Sequence, residues 1–434
     1  MEPIRLNYGR QTLEIAASGA KRMKTLLETP MPEIETIQEE FRRCVEEGVI
    51  CSRPLRELVA SEDSVTIVIS DMTRFWMRQD IICELLVRYL NETLHVPFEN
   101  LAVVVALGTH RKNTPQELKT LASAYVYEHV QVVDHDCDAE NLVDVGTTSF
   151  GTRVRVNPLA IGRKLICIGG TVHHVMAGYG GGRKSIVPGI AGRDTIKMNH
   201  IHALDPNAPK SDDRVGSGRL LDNPINLDMA EAGAMVHPIF GINICVNSAS
   251  KHSGLFCGDF DEAWKQSCLF IQKSYGLPIE YEADVVFVSC GGVPKDLNFY
   301  QSTKSLFNGV RALKQGGTLV LLAECCEGSG AKDFFDWIEP LKQGRLDESL
   351  REEFTIGGYI FYAACEAIRK GRVLLLSSLA PETVADMGVE AYCELDALME
   401  QVDLSGKDVY VIPYGGSVMP QLQKDYTQFI SELQ

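Results

Sequence analysis

Residues 164–200, KLICIGGTVHHVMAGYGGGRKSIVPGIAGRDTIKMNH, run from a short apolar stretch into a segment dense in glycine that carries Lys184 and three histidines. An uninterrupted apolar run of this length, bounded by glycine, is the pattern of a strand buried on both faces of a sheet. Glycine adopts positive φ cheaply and lacks a Cβ, so Gly178, Gly180, Gly181 and Gly182 let the backbone approach a bulky ligand. Lys184 is thereby placed beside that ligand, with His174 ten residues before it and His200 sixteen after.

Similar runs recur on either side: VTIVIS at 65–70, LAVVVALG at 101–108, DVVFVSC at 284–290, TLVLLAE at 318–324, VLLLSS at 373–378 and VYVIP at 409–413. Between them lie helical patterns over 34–48, 79–92, 115–124, 262–274, 301–315, 332–343, 358–370 and 391–402. This alternation predicts an α/β fold of mainly parallel sheets flanked by helices. Ligands of such sheets bind beyond the carboxyl ends of the strands. The polar clusters Asp71-Met72-Thr73-Arg74, Gly108-Thr109-His110-Arg111 and Gly291-Gly292 with Lys295 and Asp296 all fall there.

A chain of 434 residues exceeds what one core serves. The segment YGLPIEYE at 275–282 marks a boundary, giving two domains, 1–275 and 276–434, with the active site in the cleft between them. A net charge of −16 disfavours nucleic acid as a partner. No apolar stretch reaches the roughly 18 residues of a membrane span and no leader pattern opens the sequence, so a cytoplasmic protein is expected. The thirteen cysteines form no CxxC pair, and those in apolar runs read as small hydrophobes.

GYGGGRKS approximates a phosphate-binding loop, but Arg183 stands where the last glycine is required and Pro188 follows closely. A nucleotide-dependent transferase is therefore a secondary reading, as is a non-catalytic anion-binding module. Taken together, SDMTR at 70–74, GTHR at 108–111, HVMAGYGGGRKSIVPGI at 174–190, TIKMNH at 195–200 and GGVPKDLNFYQSTK at 291–304 resemble the nickel-dependent lactate racemase family.

That resemblance implies a two-domain isomerase, a racemase or epimerase that inverts C2 of a 2-hydroxy acid by reversible hydride transfer. Its cofactor is a nickel pincer nucleotide, a pyridinium mononucleotide bound covalently to the lysine matching Lys184. By the same resemblance His200 is the protein's metal ligand, and His110 and His174 are the catalytic acid/base pair. Asp71, Thr73 and Tyr300 match cofactor-binding positions, and Arg74, Gln301 and Lys304 match substrate-binding positions. Partners would be a small 2-hydroxy carboxylate and the enzymes that mature the cofactor. The chemistry is coherent: imidazole suits nickel and titrates near neutrality, and a guanidinium pairs a carboxylate.

The sequence departs from lactate-specific relatives at two places. Phe75, Trp76 and Met77 follow Arg74 where those relatives have proline. The tryptophan that walls a small substrate has no evident counterpart near Phe354-Thr355-Ile356-Gly357-Gly358-Tyr359. A substrate larger than lactate is expected, such as malate, 2-hydroxyglutarate, an aldonic acid or an aromatic 2-hydroxy acid, with lactate itself the alternative. Tyr359 and Tyr414 are the hydroxyls considered for a polar tail.

Overall fold

The computed structural model describes residues 3–16 and 18–434. The chain divides into two compact units. The first comprises Pro30–Ala203, Asp213–Gln272 and Ile430–Gln434; the second comprises the described residues of Met1–Thr29, Leu204–Asp212 and Lys273–Phe429.

The sheet of the first unit has the order His252–Gly258, Phe240–Val246, Lys164–Gly170, Val65–Ser70, Leu101–Ala106, Gln131–Asp134. Neighbours are parallel except at His252–Gly258, which runs antiparallel at one edge. Both faces of the central strands are buried: Ile67, Ile69, Val103, Val105, Ile166 and Ile168 join one core cluster, and Val68, Val104 and Cys167 are also buried. This double burial is why these strands read as unbroken apolar runs. The strand Val65–Ser70 is flanked by the next strand in sequence on one side and by Lys164–Gly170 on the other. The order of connection reverses there, which is where an open α/β sheet leaves a crevice for a ligand.

The second unit holds a six-stranded, all-parallel sheet in the order Val389–Tyr392, Arg372–Leu376, Leu313–Leu322, Ala283–Ser289, Asp408–Ile412, Arg22–Thr25. Val285, Phe287, Val320, Leu322, Leu374, Leu376, Val409 and Val411 form its core with Ile4, Leu6 and Ile15 of an N-terminal hairpin. Arg22–Thr25 completes one edge beside Asp408–Ile412. The segment Leu204–Asp212 is pinned within this unit: Arg351 donates to the Asp205 and Ala208 carbonyls at 2.9 and 2.8 Å, and the Ser211 N–H donates to Glu366 at 2.9 Å.

The helical pattern expected over 391–402 differs in the structure. Residues Val389–Tyr392 pair with Val373–Leu376 as the edge strand, and only Leu395–Met399 is helical. All thirteen cysteines are free thiols, and all but Cys51, Cys326 and Cys393 are buried. Among the described residues no helix is long and apolar enough to cross a membrane.

Candidate active site

Three loops leave the carboxyl ends of adjacent strands in the first unit. After Val65–Ser70 the chain enters a short 3-10 helix, Met72–Met77, capped by Asp71. The Asp71 carboxylate accepts from the Thr73 backbone N–H at 3.1 Å and from the Thr73 hydroxyl at 2.6 Å. Its other oxygen receives His110 Nδ1 from the loop after Leu101–Ala106. Burial alone would push the Asp71 carboxyl up, but the bonds from His110 and Thr73 and the charge of Arg74 outweigh it and hold the group below its ordinary range. His110 therefore keeps a hydrogen on Nδ1, which leaves the lone pair on Nε2, and its side chain is 52% exposed. Arg74 folds back on the same turn, donating to the Thr73 hydroxyl at 3.2 Å.

The third loop carries Lys184. At Gly182, φ is +44° and a Cβ would lie 2.4 Å from the Trp264 ring, so no other residue fits. The Trp264 indole N–H donates to the Gly180 carbonyl at 2.8 Å and fastens the glycine run to helix Glu262–Tyr275. Arg183 is buried, 7% exposed. Its guanidinium forms a bidentate pair with Asp261, both distances 2.9 Å, and also donates to Asn226. A phosphate loop needs a glycine here to turn into its helix; this arginine instead serves as an anchor, which weighs against nucleotide chemistry.

The Gly108 N–H donates to the Gly189 carbonyl at 2.9 Å, joining the His110 loop to the Lys184 loop. Burial, with the Arg74 guanidinium adding to it, lowers the Lys184 amine to about 7. His200 ends helix Arg193–His200 and is 2% exposed. Burial first, and then Lys184, push its imidazole down to about 3. Its Nδ1 donates to the Ile196 carbonyl at 3.0 Å, which fixes the neutral tautomer with the Nε2 lone pair that a metal ligand requires. Asp71, Thr73, Arg74, His110, Lys184 and His200 thus form one electrostatically linked group.

His173 and His174 lie on a two-residue strand paired with Gly178–Tyr179. His173 Nε2 bonds Gln272 at 3.0 Å, and its ring packs 5.1 Å from Tyr179. His174 accepts backbone hydrogen bonds at Nδ1 from Met176 and Ala177. His135 and His252 are spoken for by the Ala191 and Met77 carbonyls, at 2.9 and 2.8 Å.

Tyr300, Gln301 and Lys304 belong to the second unit, at the start of helix Phe299–Ala312. Asn298 caps this helix by accepting from the Gln301 N–H at 3.0 Å, and the Lys304 amine donates to the Gln301 side chain at 2.7 Å. The Tyr300 ring packs edge-on to Phe334 at 5.8 Å. Tyr359 is 3% exposed and Tyr414 is 38% exposed. Of the anchors of the glycine loop, Arg183 lies within the glycine-rich motif, whereas Asp261 and Trp264 carry no motif of their own and no sequence signal marked them.

Two family models match the chain: the lactate racemase N-terminal domain over residues 8–211 and the lactate racemase C-terminal domain over 279–420. A lactate racemase from Thermoanaerobacterium thermosaccharolyticum is 30% identical over 348 residues, covering 79% of each chain. One from Lactiplantibacillus plantarum is 28% identical over 400 residues, covering 90% of this chain and 91% of the relative. The solved structure of the lactate racemase apoprotein from T. thermosaccharolyticum superposes with a TM-score of 0.82 at 28% identity, covering 96% of this chain and all of that one.

Proposed function

This chain belongs to the lactate racemase family and is accordingly a racemase; from that premise we propose that it inverts C2 of a 2-hydroxy acid by reversible hydride transfer. The observation that carries the reading is the linked group in the first unit, where a carboxylate-oriented histidine, an arginine, a lysine lowered to about 7 and a neutral buried histidine are joined by a hydrogen bond and by electrostatic interaction.

The residues fit a lysine-borne nickel pincer nucleotide. The Lys184 amine, lowered to about 7, is largely uncharged at mildly alkaline pH and can condense with a thiocarboxylic acid to a thioamide, the N–C bond replacing a C–O bond and water leaving, so that the sulfur is kept. His200 offers a single neutral imidazole. Among the described residues no group of three or more His, Cys, Asp and Glu side chains is arranged to hold a metal. The remaining donors would come from the group on Lys184, and sulfur and carbon donors with one imidazole suit square-planar nickel. When bound, that group supplies the hydride acceptor.

The chain's own side chains do the rest. Arg74 pairs the substrate carboxylate. His110 takes the hydroxyl proton at Nε2 while Asp71 holds Nδ1–H and stabilises the resulting imidazolium. His174 serves the opposite face of the substrate. By their match to the family motif, Asp71, Thr73 and Tyr300 contact the cofactor, and Gln301 and Lys304 contact the substrate. Phe75, Trp76 and Met77 after Arg74, and the absence of the family's wall tryptophan from 354–359, support a substrate larger than lactate; Gly357 and Gly358 add no space to that reading, because Asp333 and Trp337 pack against them.

Chiral chromatography of a panel of 2-hydroxy acids, incubated with cofactor-bearing protein, tests the reaction and the side-chain preference together. Each accepted acid should approach a racemic or epimeric mixture. Retention of configuration across lactate, malate, 2-hydroxyglutarate, aldonic and aromatic acids would overturn the proposal.

A further inference from the structure

The two histidines proposed for proton transfer are held in opposite ways, a difference that rests on the reading above. His110 turns Nδ1 toward the Asp71 carboxylate, a pure acceptor when ionised, so Nδ1 carries the hydrogen and Nε2 presents a lone pair. At His174 the polarity is reversed. The backbone N–H groups of Met176 and Ala177 both point at Nδ1, at 3.2 and 3.1 Å. An amide N–H only donates, so Nδ1 is the bare nitrogen and the hydrogen resides on Nε2.

These donors are fixed in place. Met176 and Ala177 are 1% and 0% exposed. Their carbonyls are held by the side-chain amides of Asn223 and Asn226, at 2.7 and 2.9 Å. The short strand that bears His174 is closed by pairing with Gly178–Tyr179. To accept a proton at Nε2, a histidine needs its hydrogen on Nδ1, and an imidazolium needs one on each nitrogen. Either form would set an N–H against two buried N–H donors, leaving all three unsatisfied.

We infer that the His173–Tyr179 hairpin locks His174 as the neutral Nε2–H imidazole, a hydrogen-bond donor that joins proton transfer only after its ring leaves the Met176 and Ala177 amides, whereas His110 accepts a proton directly. His174 is thus gated by its own hairpin.

The test is a long-range proton–nitrogen NMR spectrum of the full chain without the lysine-borne group, labelled with ¹⁵N in histidine and backbone, at neutral pH. The rings are assigned from His110→Gln and His174→Gln chains. Should His174→Gln fail to fold, through-bond correlation of the ring with the assigned His174 backbone identifies the same ring in either protonation state. The expected result is a bare Nδ1 and protonated Nε2 at His174, with a protonated Nδ1 at His110. A protonated Nδ1 at His174, in the other tautomer or in the imidazolium, would overturn the inference. Failure of the loaded enzyme to interconvert enantiomers would overturn the racemase proposal instead, independently of this spectrum.

Discussion

Arg183 and Asp261 meet in a bidentate ion pair 78 residues apart in sequence, both N···O distances 2.9 Å, with the arginine side chain 9% exposed and the aspartate 36%. The Arg183 guanidinium also lies 4.9 Å from the centre of the Trp264 ring, whose indole N–H holds Gly180. The residue immediately before the proposed attachment lysine is therefore the anchor of the loop that presents it.

Replacing Arg183 with Ala strands the Asp261 carboxylate and the Asn226 side-chain oxygen. A cost of about 3 kcal/mol is expected, the lower end for breaking a buried pair because Asp261 is partly solvated. Calorimetry should show a lowered unfolding temperature, and intact-mass analysis should show little or no adduct on Lys184. Arg183→Lys keeps the charge but loses the planar fork, so an intermediate result is expected. Wild-type loading in Arg183→Ala would refute the anchoring role.

Much of this was legible in the sequence for a physical reason. Strands buried on both faces, such as Val65–Ser70 and Lys164–Gly170, leave no polar alternation to confuse the pattern. Phe240–Val246 is buried throughout but interrupted by Gly241, where a Cβ would lie 3.2 Å from the Phe260 Cα, and by Asn243, so its run is less evident. Arg22–Thr25 is a short, exposed, charged edge strand, the composition that discourages aggregation and also hides a strand from view. In the site, Asp71, His110, Lys184 and His200 each sit in a compact local motif. The support of Lys184 does not, because Asp261 and Trp264 approach only through the tertiary fold.

The Asp71–His110 pair should govern both rate and acid stability. Asp71→Asn preserves shape but no longer favours Nδ1–H or the imidazolium, so kcat should fall by roughly 10²–10⁴-fold, the range assigned to acid–base catalysis. The Asp71 carboxyl is held below its unfolded value of 3.8, so its contribution to stability is fully present above that pH and is lost as pH falls through the lower folded value. In urea titrations at pH 6, 4 and 3, the stability gap between the wild type and Asp71→Asn should narrow toward the acid end. A gap independent of pH would exclude this linkage.

Lys184 should be the most readily acylated lysine of the unloaded protein. Burial, and secondarily Arg74, disfavour its cation and place the amine near 7, so its nucleophilic form predominates above that pH. Labelling with an amine-selective ester, followed by peptide mass analysis, should show Lys184 half-maximal near pH 7. Arg74→Gln removes a repelling positive charge, so the midpoint should move upward. A downward move, or none, would contradict the electrostatic assignment.

His200 should matter for the metal rather than for attachment. Its imidazole is neutral, with Nδ1 committed to the Ile196 carbonyl, and Lys184 rather than His200 provides the amine that would condense with a thiocarboxylic acid. His200→Ala should therefore retain the Lys184 mass adduct while purified protein loses nickel, measured by elemental analysis after a brief chelator wash. Racemisation should fall with the metal content, and dialysis against excess nickel should restore little of it because one donor is missing. Full nickel retention in His200→Ala would show that the metal takes its nitrogen from another residue, and the most direct candidates would be the two histidines at 110 and 174.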